Sequence, residues 1–187
     1  MIHLILGGAR SGKSRFSEQW ILNKYGDLPR YYLATAQAYD TEMTERIAKH
    51  QQDRLSDDWH LCEYPIKIDQ ALQNIPDNSV VLIDCLTLWL TNVLMSVENK
   101  TNTREQKAQH LSHAIEQLLL TLSEHQTRLT LVVVANEVGL GIVPMGEQSR
   151  LFVDHAGWLN QKVAATAQQV TLVTAGLPLT LKGAISG

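Results

Sequence analysis

Gly7, Gly12, Lys13 and Ser14 stand in the spacing Gly-x-x-x-x-Gly-Lys-Ser, with Gly8, Ala9, Arg10 and Ser11 between the glycines. Those residue types in that order suit the holding of nucleotide phosphates. Glycines let backbone N–H groups turn inward around phosphate oxygens, and a helix starting after Gly12 would add the positive end of its dipole. Lys13 supplies a cation for the terminal phosphates, and the Ser14 hydroxyl is a ligand suited to Mg²⁺. A chain of this length and average composition shows the pattern by accident roughly once in a hundred. Here it falls between an apolar run, Ile2 to Leu6, and a helical pattern from Lys13 to about Asn23, where a nucleotide loop must lie.

Folds with such a loop usually carry an acidic residue at the carboxyl end of another core strand, beside the loop, to hold Mg²⁺ directly or through water. Asp84 closes the run Ser79-Val80-Val81-Leu82-Ile83 in that way, although an Asp there is also a good cap for a helix starting at Leu86. Glu137 follows the next strong strand pattern and is a second acidic candidate, for substrate or for a structural turn. Between Met43 and Arg54, a helix brings Met43, Arg46, Ile47, His50 and Arg54 within about a third of its circumference. Cationic and imidazole groups on an otherwise apolar stripe suggest a phosphate-lined cleft. A histidine on a helix is more often structural, arginines can snorkel, and spacing alone does not separate nucleophile, base and phosphate ligand.

These groups require a frame. Short apolar runs alternate with helical segments: strands at Ile2–Leu6, Arg30–Thr35, Ser79–Asp84, Leu129–Ala135 and Val170–Ala175, with His60–Tyr64 as a short edge strand. Helices are expected at 40–54, Leu86–Val97, from the Thr103/Gln106 capping pair onward, and over 146–167. The third of these places Ala108, Leu111, Ile115, Leu118, Leu119 and Leu122 on one face. The fourth points Leu151, His155, Trp158 or Leu159, and Lys162 or Val163 inward. Strand alternating with helix predicts an α/β fold, a mostly parallel sheet with helices on both faces. One domain over residues 1–187 is expected, with 183–187 a loose tail.

The chain has 187 residues, 44% apolar and 19% charged, with net charge −3. That is the composition of a globular protein with one full core, and it offers no footprint for long nucleic acid. Cys62 and Cys85 lack metal-ligand spacing and read as buried thiols. No apolar run reaches membrane-spanning length, so a cytoplasmic protein without a membrane span is expected.

Further residues make the chain resemble a known family. They are Ala34-Thr35-Ala36, Arg46-Ile47-x-x-His50, Trp59-x-x-x-Glu63, and the stretch from Leu82 through Asp84 and Trp89 to Asn92. Asn136-Glu137-Val138-Gly139-Leu140-Gly141-Ile142-Val143-Pro144, Gly157-x-x-Asn160-Gln161 and Ala175-Gly176-Leu177-Pro178-Leu179 complete the set. Over nearly its whole length the chain is similar to the bifunctional adenosylcobinamide kinase / adenosylcobinamide-phosphate guanylyltransferases of cobalamin assembly. The resemblance implies a P-loop NTPase-type (RecA-like) fold and a homotrimer. It implies phosphorylation of adenosylcobinamide by ATP or GTP, then GMP transfer from GTP to adenosylcobinamide phosphate through a guanylylated histidine, which matches His50. Gly7 to Ser14, Ala34, Thr35, Ala36, Gln51, Gln52, Asp53, Arg54, Glu63 and Asp84 match the family's guanine-nucleotide contacts. Catalytic roles are expected for His50, Lys13 and Asp84, with Mg²⁺ on Ser14 and Asp84. The chain departs from the family where Leu55 replaces a frequent Pro after Arg54, and where Val153 replaces a frequent Arg. The first touches the end of the nucleotide-binding helix, the second a contact near the acceptor.

Overall fold

The computed structural model describes residues 1–37, 58–98 and 103–183. Within them the chain runs β1 (Ile2–Gly7), α1 (Lys13–Tyr25), β2 (Arg30–Ala34), β3 (Trp59–Glu63), α2 (Ile68–Gln73), β4 (Val80–Asp84), α3 (Leu86–Glu98), α4 (Arg104–His125), β5 (Thr130–Asn136), α5 (Glu147–Thr166), β6 (Gln169–Thr174) and β7 (Leu177–Lys182). The strands form one seven-stranded sheet in the order β3-β2-β4-β5-β1-β6-β7. Every pairing is parallel except β6 with β7. The expected mostly parallel α/β sheet is therefore what forms.

The central strands are apolar on both faces because both faces are covered. Alternate side chains go to opposite sides. Ile2, Leu4, Leu6, Val81, Ile83, Leu131 and Val133 join α2, α3, α4 and α5 in the larger core. Ile5, Val80, Leu82, Val132 and Val134 face the other way, toward Ile21, Phe16 and Trp20 of α1. The stripe of α4 is as the spacing predicts, with Leu111, Ile115, Leu118 and Leu122 buried and Ala108 and Leu119 packed beside them. On α5 the inward set is Leu151, His155, Leu159 and Val163, while Trp158 turns outward and is 50% exposed.

Thr103 caps α4, accepting from the Gln106 amide at 3.2 Å. Its hydroxyl also donates to Gln106 Oε1 at 2.8 Å, so the glutamine ends on the hydroxyl instead of reaching the Thr103 amide as in a full capping box. Two elements exceed the sequence expectation. Helix α2 is short, but Ile68, Ala71 and Leu72 have helical spacing and are buried. Strand β7 carries Pro178, which argues against an interior strand, and it lies at the sheet edge, where Pro is tolerated. The helix expected at 40–54 and the tail beyond Gly183 lie outside the described residues.

Candidate active site: the carboxyl ends of β1, β2, β4 and β5

The loop 7–12 leaves β1 and turns into α1. Gly8 O accepts from the Ser11 amide at 3.3 Å and from Lys13 Nζ at 2.5 Å, so the lysine folds back over the loop. Gly7 has φ 155°, and a Cβ there would stand 2.2 Å from Val173 O. The loop is wedged so closely against β6 that only glycine fits. Gly12 has φ 97°, a left-handed conformation that starts α1. The β6–β7 turn braces the loop from outside: Ala175 and Gly176 have φ 51° and 78°, and Gly176 donates its N–H to Ser11 O at 2.9 Å. Positive φ at both central residues suits a tight hairpin turn. Gly8, Ala9 and Arg10 are exposed at the loop crest.

Asp84 lies at the end of β4 and accepts from Ser14 Oγ at 2.9 Å and from Tyr32 OH, also at 2.9 Å, both on Oδ2. Hydroxyl, carboxylate and loop lysine therefore converge. Burial pulls the Lys13 ammonium below the usual lysine range, and the charges of Cys85 and Asp84 oppose that shift. The neighbouring Cys85 thiol is pushed up to about 12, chiefly by burial and then by Asp84, so it is an inert core thiol. Cys62 is only half-buried, a departure from the expectation of two buried thiols.

Polar side chains stitch the strand ends together. Thr35 Oγ1 donates to Cys85 O at 2.7 Å and accepts from Cys85 N at 2.8 Å. Asn92 of α3 donates to Thr35 O at 2.7 Å and to Pro65 O at 2.9 Å. Thr87 accepts from the Asn136 amide at 2.7 Å. Asn160 of α5 donates to Asn136 O at 3.1 Å and to Glu137 Oε1 at 2.7 Å. The Glu137 amide bonds Gly7 O at 3.1 Å. Ligands of open α/β sheets bind outside the carboxyl ends of the strands, and this is that edge.

Ala34 pairs in register with Asp84 on one side and Glu63 on the other, so the turn 34–36 sits between the two carboxylates. Glu63 ends the edge strand β3, two positions from β4 in the sheet, and is exposed. His50, Gln51, Gln52, Asp53 and Arg54 lie outside the described residues. Trp89 is buried, and its indole N–H donates to Ile66 O at 2.9 Å. Tyr32 escaped sequence reasoning altogether, and Asn92 and Asn160 entered it only within motifs of the resemblance, with no role in building the site. Each works across the sheet, and local spacing carries no signal for that. Among the described residues no group of three or more His, Cys, Asp or Glu is arranged to hold a metal ion.

β5 intervenes between the loop strand β1 and the acidic strand β4. With the phosphate loop, this is the RecA-like arrangement of P-loop folds. Residues 3–181 match the sequence profile described as cobinamide kinase / cobinamide phosphate guanyltransferase. The chain belongs to this family. Among its relatives is a bifunctional adenosylcobalamin biosynthesis protein of Pseudomonas aeruginosa, 45% identical over 98% of each chain. A protein of the same description from Escherichia coli K12 is 38% identical, over 97% of this chain and all of that one. Another, from Salmonella typhimurium LT2, is 35% identical over the same shares. A solved KaiC-like protein from Pyrococcus horikoshii OT3 superposes with a TM-score of 0.41 at 11% identity, covering 91% of this chain and 69% of that one. As a member of the family, the chain is a kinase and guanylyltransferase of cobalamin biosynthesis.

Proposed function

We propose that the chain phosphorylates adenosylcobinamide with ATP or GTP, then transfers GMP from GTP to the resulting phosphate through a guanylyl-histidine at His50. The observation that carries the phosphotransfer half is the meeting of Lys13, Ser14 and Asp84 at one phosphate loop, with Ser14 Oγ 2.9 Å from Asp84 Oδ2. The match to a two-activity family over residues 3–181 supports the second half.

Nucleotide phosphates would lie along the loop 7–14, against inward backbone N–H groups and Lys13. The exposed crest at Arg10, the turn Ala34-Thr35-Ala36, Glu63 and the segment Gln51 to Arg54 would complete the nucleotide contacts. Ser14 and Asp84 supply two oxygen donors side by side, which fits Mg²⁺, an ion commonly bound by one or two protein oxygens together with substrate phosphates. When bound there, Mg²⁺ would offset phosphate charge and orient the terminal groups.

In the kinase step the acceptor hydroxyl oxygen bonds to the γ-phosphorus, the bond from that phosphorus to the leaving diphosphate breaks, and Lys13 offsets charge on the transferring group. In the second activity a ring nitrogen of neutral His50 attacks the α-phosphorus of GTP and pyrophosphate leaves. The acceptor's phosphate oxygen then displaces the histidine, breaking the P–N bond and regenerating neutral imidazole. The reading includes a cytoplasmic homotrimer. Exposed Leu177, Leu179 and Leu181 on β7 support an assembly, and sedimentation at the mass of a monomer would speak against it.

The deciding experiment incubates the protein with Mg²⁺ and GTP labelled at the α-phosphate. Label on the denatured chain that survives alkali, is lost in acid and is absent from His50→Ala is expected. Folded, GTP-binding protein that takes no label would leave a kinase without the transferase.

A further inference from the structure

Glu137 and Asn160 take no part in the chemistry above, yet their geometry is specific. Glu137 follows β5, the strand between the loop strand β1 and the acidic strand β4. Its amide is bonded to Gly7 O, at the first residue of the phosphate loop. Its carboxylate is half-buried, and Oε1 receives a 2.7 Å hydrogen bond from Asn160 Nδ2. Asn160 is only 6% exposed. Its bond to Asn136 O already ties α5 to the end of β5. The second bond therefore adds something else: it aims a carboxylate.

That carboxylate has no cationic partner among the described residues, and Oε2 receives no hydrogen bond there. An ionised carboxylate beside a bound triphosphate is repelled, so holding one there costs stability unless a cation or a proton donor faces it in the working complex. Asp84 already occupies the metal-facing position beside Ser14. Beyond Glu137 the chain presents Leu140, Ile142 and Met145, which are 81%, 98% and 97% exposed. Apolar surface of that extent beside a polar crevice suits a large, partly apolar acceptor carrying a hydroxyl.

We infer that Glu137 is the catalytic carboxylate that receives the acceptor hydroxyl's proton in the kinase step, and that Asn160 is the residue that positions it. This rests on the proposed function and names the acceptor side of the same site. As the hydroxyl oxygen bonds to the γ-phosphorus and the nucleoside diphosphate leaves, the hydroxyl proton passes to Glu137 and from there to solvent. The guanylyl step needs no such base, because its acceptor is already a phosphate oxygen.

The test measures the two reactions separately on the full chain: phosphorylation of adenosylcobinamide by ATP, and GMP transfer from GTP to adenosylcobinamide phosphate prepared beforehand. Glu137→Gln is expected to lower kinase kcat by about 10²-fold, the scale of a lost general base, with KM for ATP within about twofold. Asn160→Ala is expected to lower kinase kcat by about tenfold, as a loosened base would. Guanylyl transfer should change by less than about threefold in both, a split that a purely structural role would not produce. Glu137→Asp, which keeps the charge but retracts it, should fall between Glu137→Gln and the unaltered chain, and serves if Glu137→Gln does not fold. Equal losses in both reactions, or an unchanged kinase kcat, would overturn the inference. An unaltered chain that phosphorylates no cobinamide would instead sink the function reading, and the inference with it.

Discussion

The pair Ser14–Asp84 ties the phosphate loop to the end of β4 with one 2.9 Å hydrogen bond. Tyr32 donates to the same carboxylate oxygen, so Asp84 is held from two sides. A carboxylate fixed in this way keeps its negative charge where it can serve the nucleotide in both reactions. Asp84→Asn preserves the shape but removes that charge. It is expected to lower kinase and guanylyl-transfer kcat together, each by about 10²-fold, the scale of losing one preorganised electrostatic group. Steady-state rates for both reactions check this, and loss of only one would confine Asp84 to that reaction. The contrast with Glu137→Gln separates a shared group from a kinase-specific one.

At the scale of elements, α4 shows how little of its stability touches the site. Its buried stripe packs into the larger core, while its cap, Thr103, stands at the exposed start of the helix. Thr103→Ala removes the acceptor for the Gln106 amide and is expected to cost about 1 kcal/mol. Chemical denaturation should show this as a lower midpoint with unchanged slope, and nucleotide turnover at low temperature should be unaltered. A comparable loss of turnover would mean that α4 communicates with the crevice. The β6–β7 turn is the opposite kind of element. Its Gly176 N–H holds Ser11 O, so a hairpin at the sheet edge helps to shape the phosphate loop.

For the molecule as a whole, acid should weaken the fold through His3. The ring lies under α1, edge-on to Trp20 at 4.5 Å between centroids, with Nε2 2.9 Å from Thr171 Oγ1. Burial, and then the charge of Lys24, lower its pKa to about 4 from an ordinary value near 6.5. Lys182 lines the same small cavity and Gln169 adjoins it. The neutral ring therefore contributes stability that is complete above pH 6.5 and is lost as pH falls from there through about 4. The shift corresponds to a loss on the order of 3 kcal/mol across that window. Burial lowers the His125 pKa too, with Arg128 adding to it, so His125 acts in the same direction. His3→Gln should flatten the dependence of Tm on pH between 6.5 and 4, and an unchanged dependence would show that other groups set the acid limit.

Much of this protein could be read along the chain, because the relevant signals are local. The phosphate loop is a run of adjacent residues whose backbone does the binding, so Gly7 to Ser14 declare themselves. The buried strands are apolar throughout since both faces are covered, and the α4 stripe follows from helical periodicity. Asp84 was legible as an acidic strand end. Strand β7 was not, because Pro178 speaks against a strand until an edge position makes it harmless. Nor was the choice of Leu159 over Trp158, which depends on how α5 is rotated against the sheet. Strand order was decided only by the assembled sheet: it set β5 between β1 and β4, and so brought Glu137 to the loop. Tyr32 reaches Asp84 across 52 residues of chain, and Asn160 reaches Glu137 across 23. Such pairings follow from long-range register and helix packing, which spacing along the sequence does not encode.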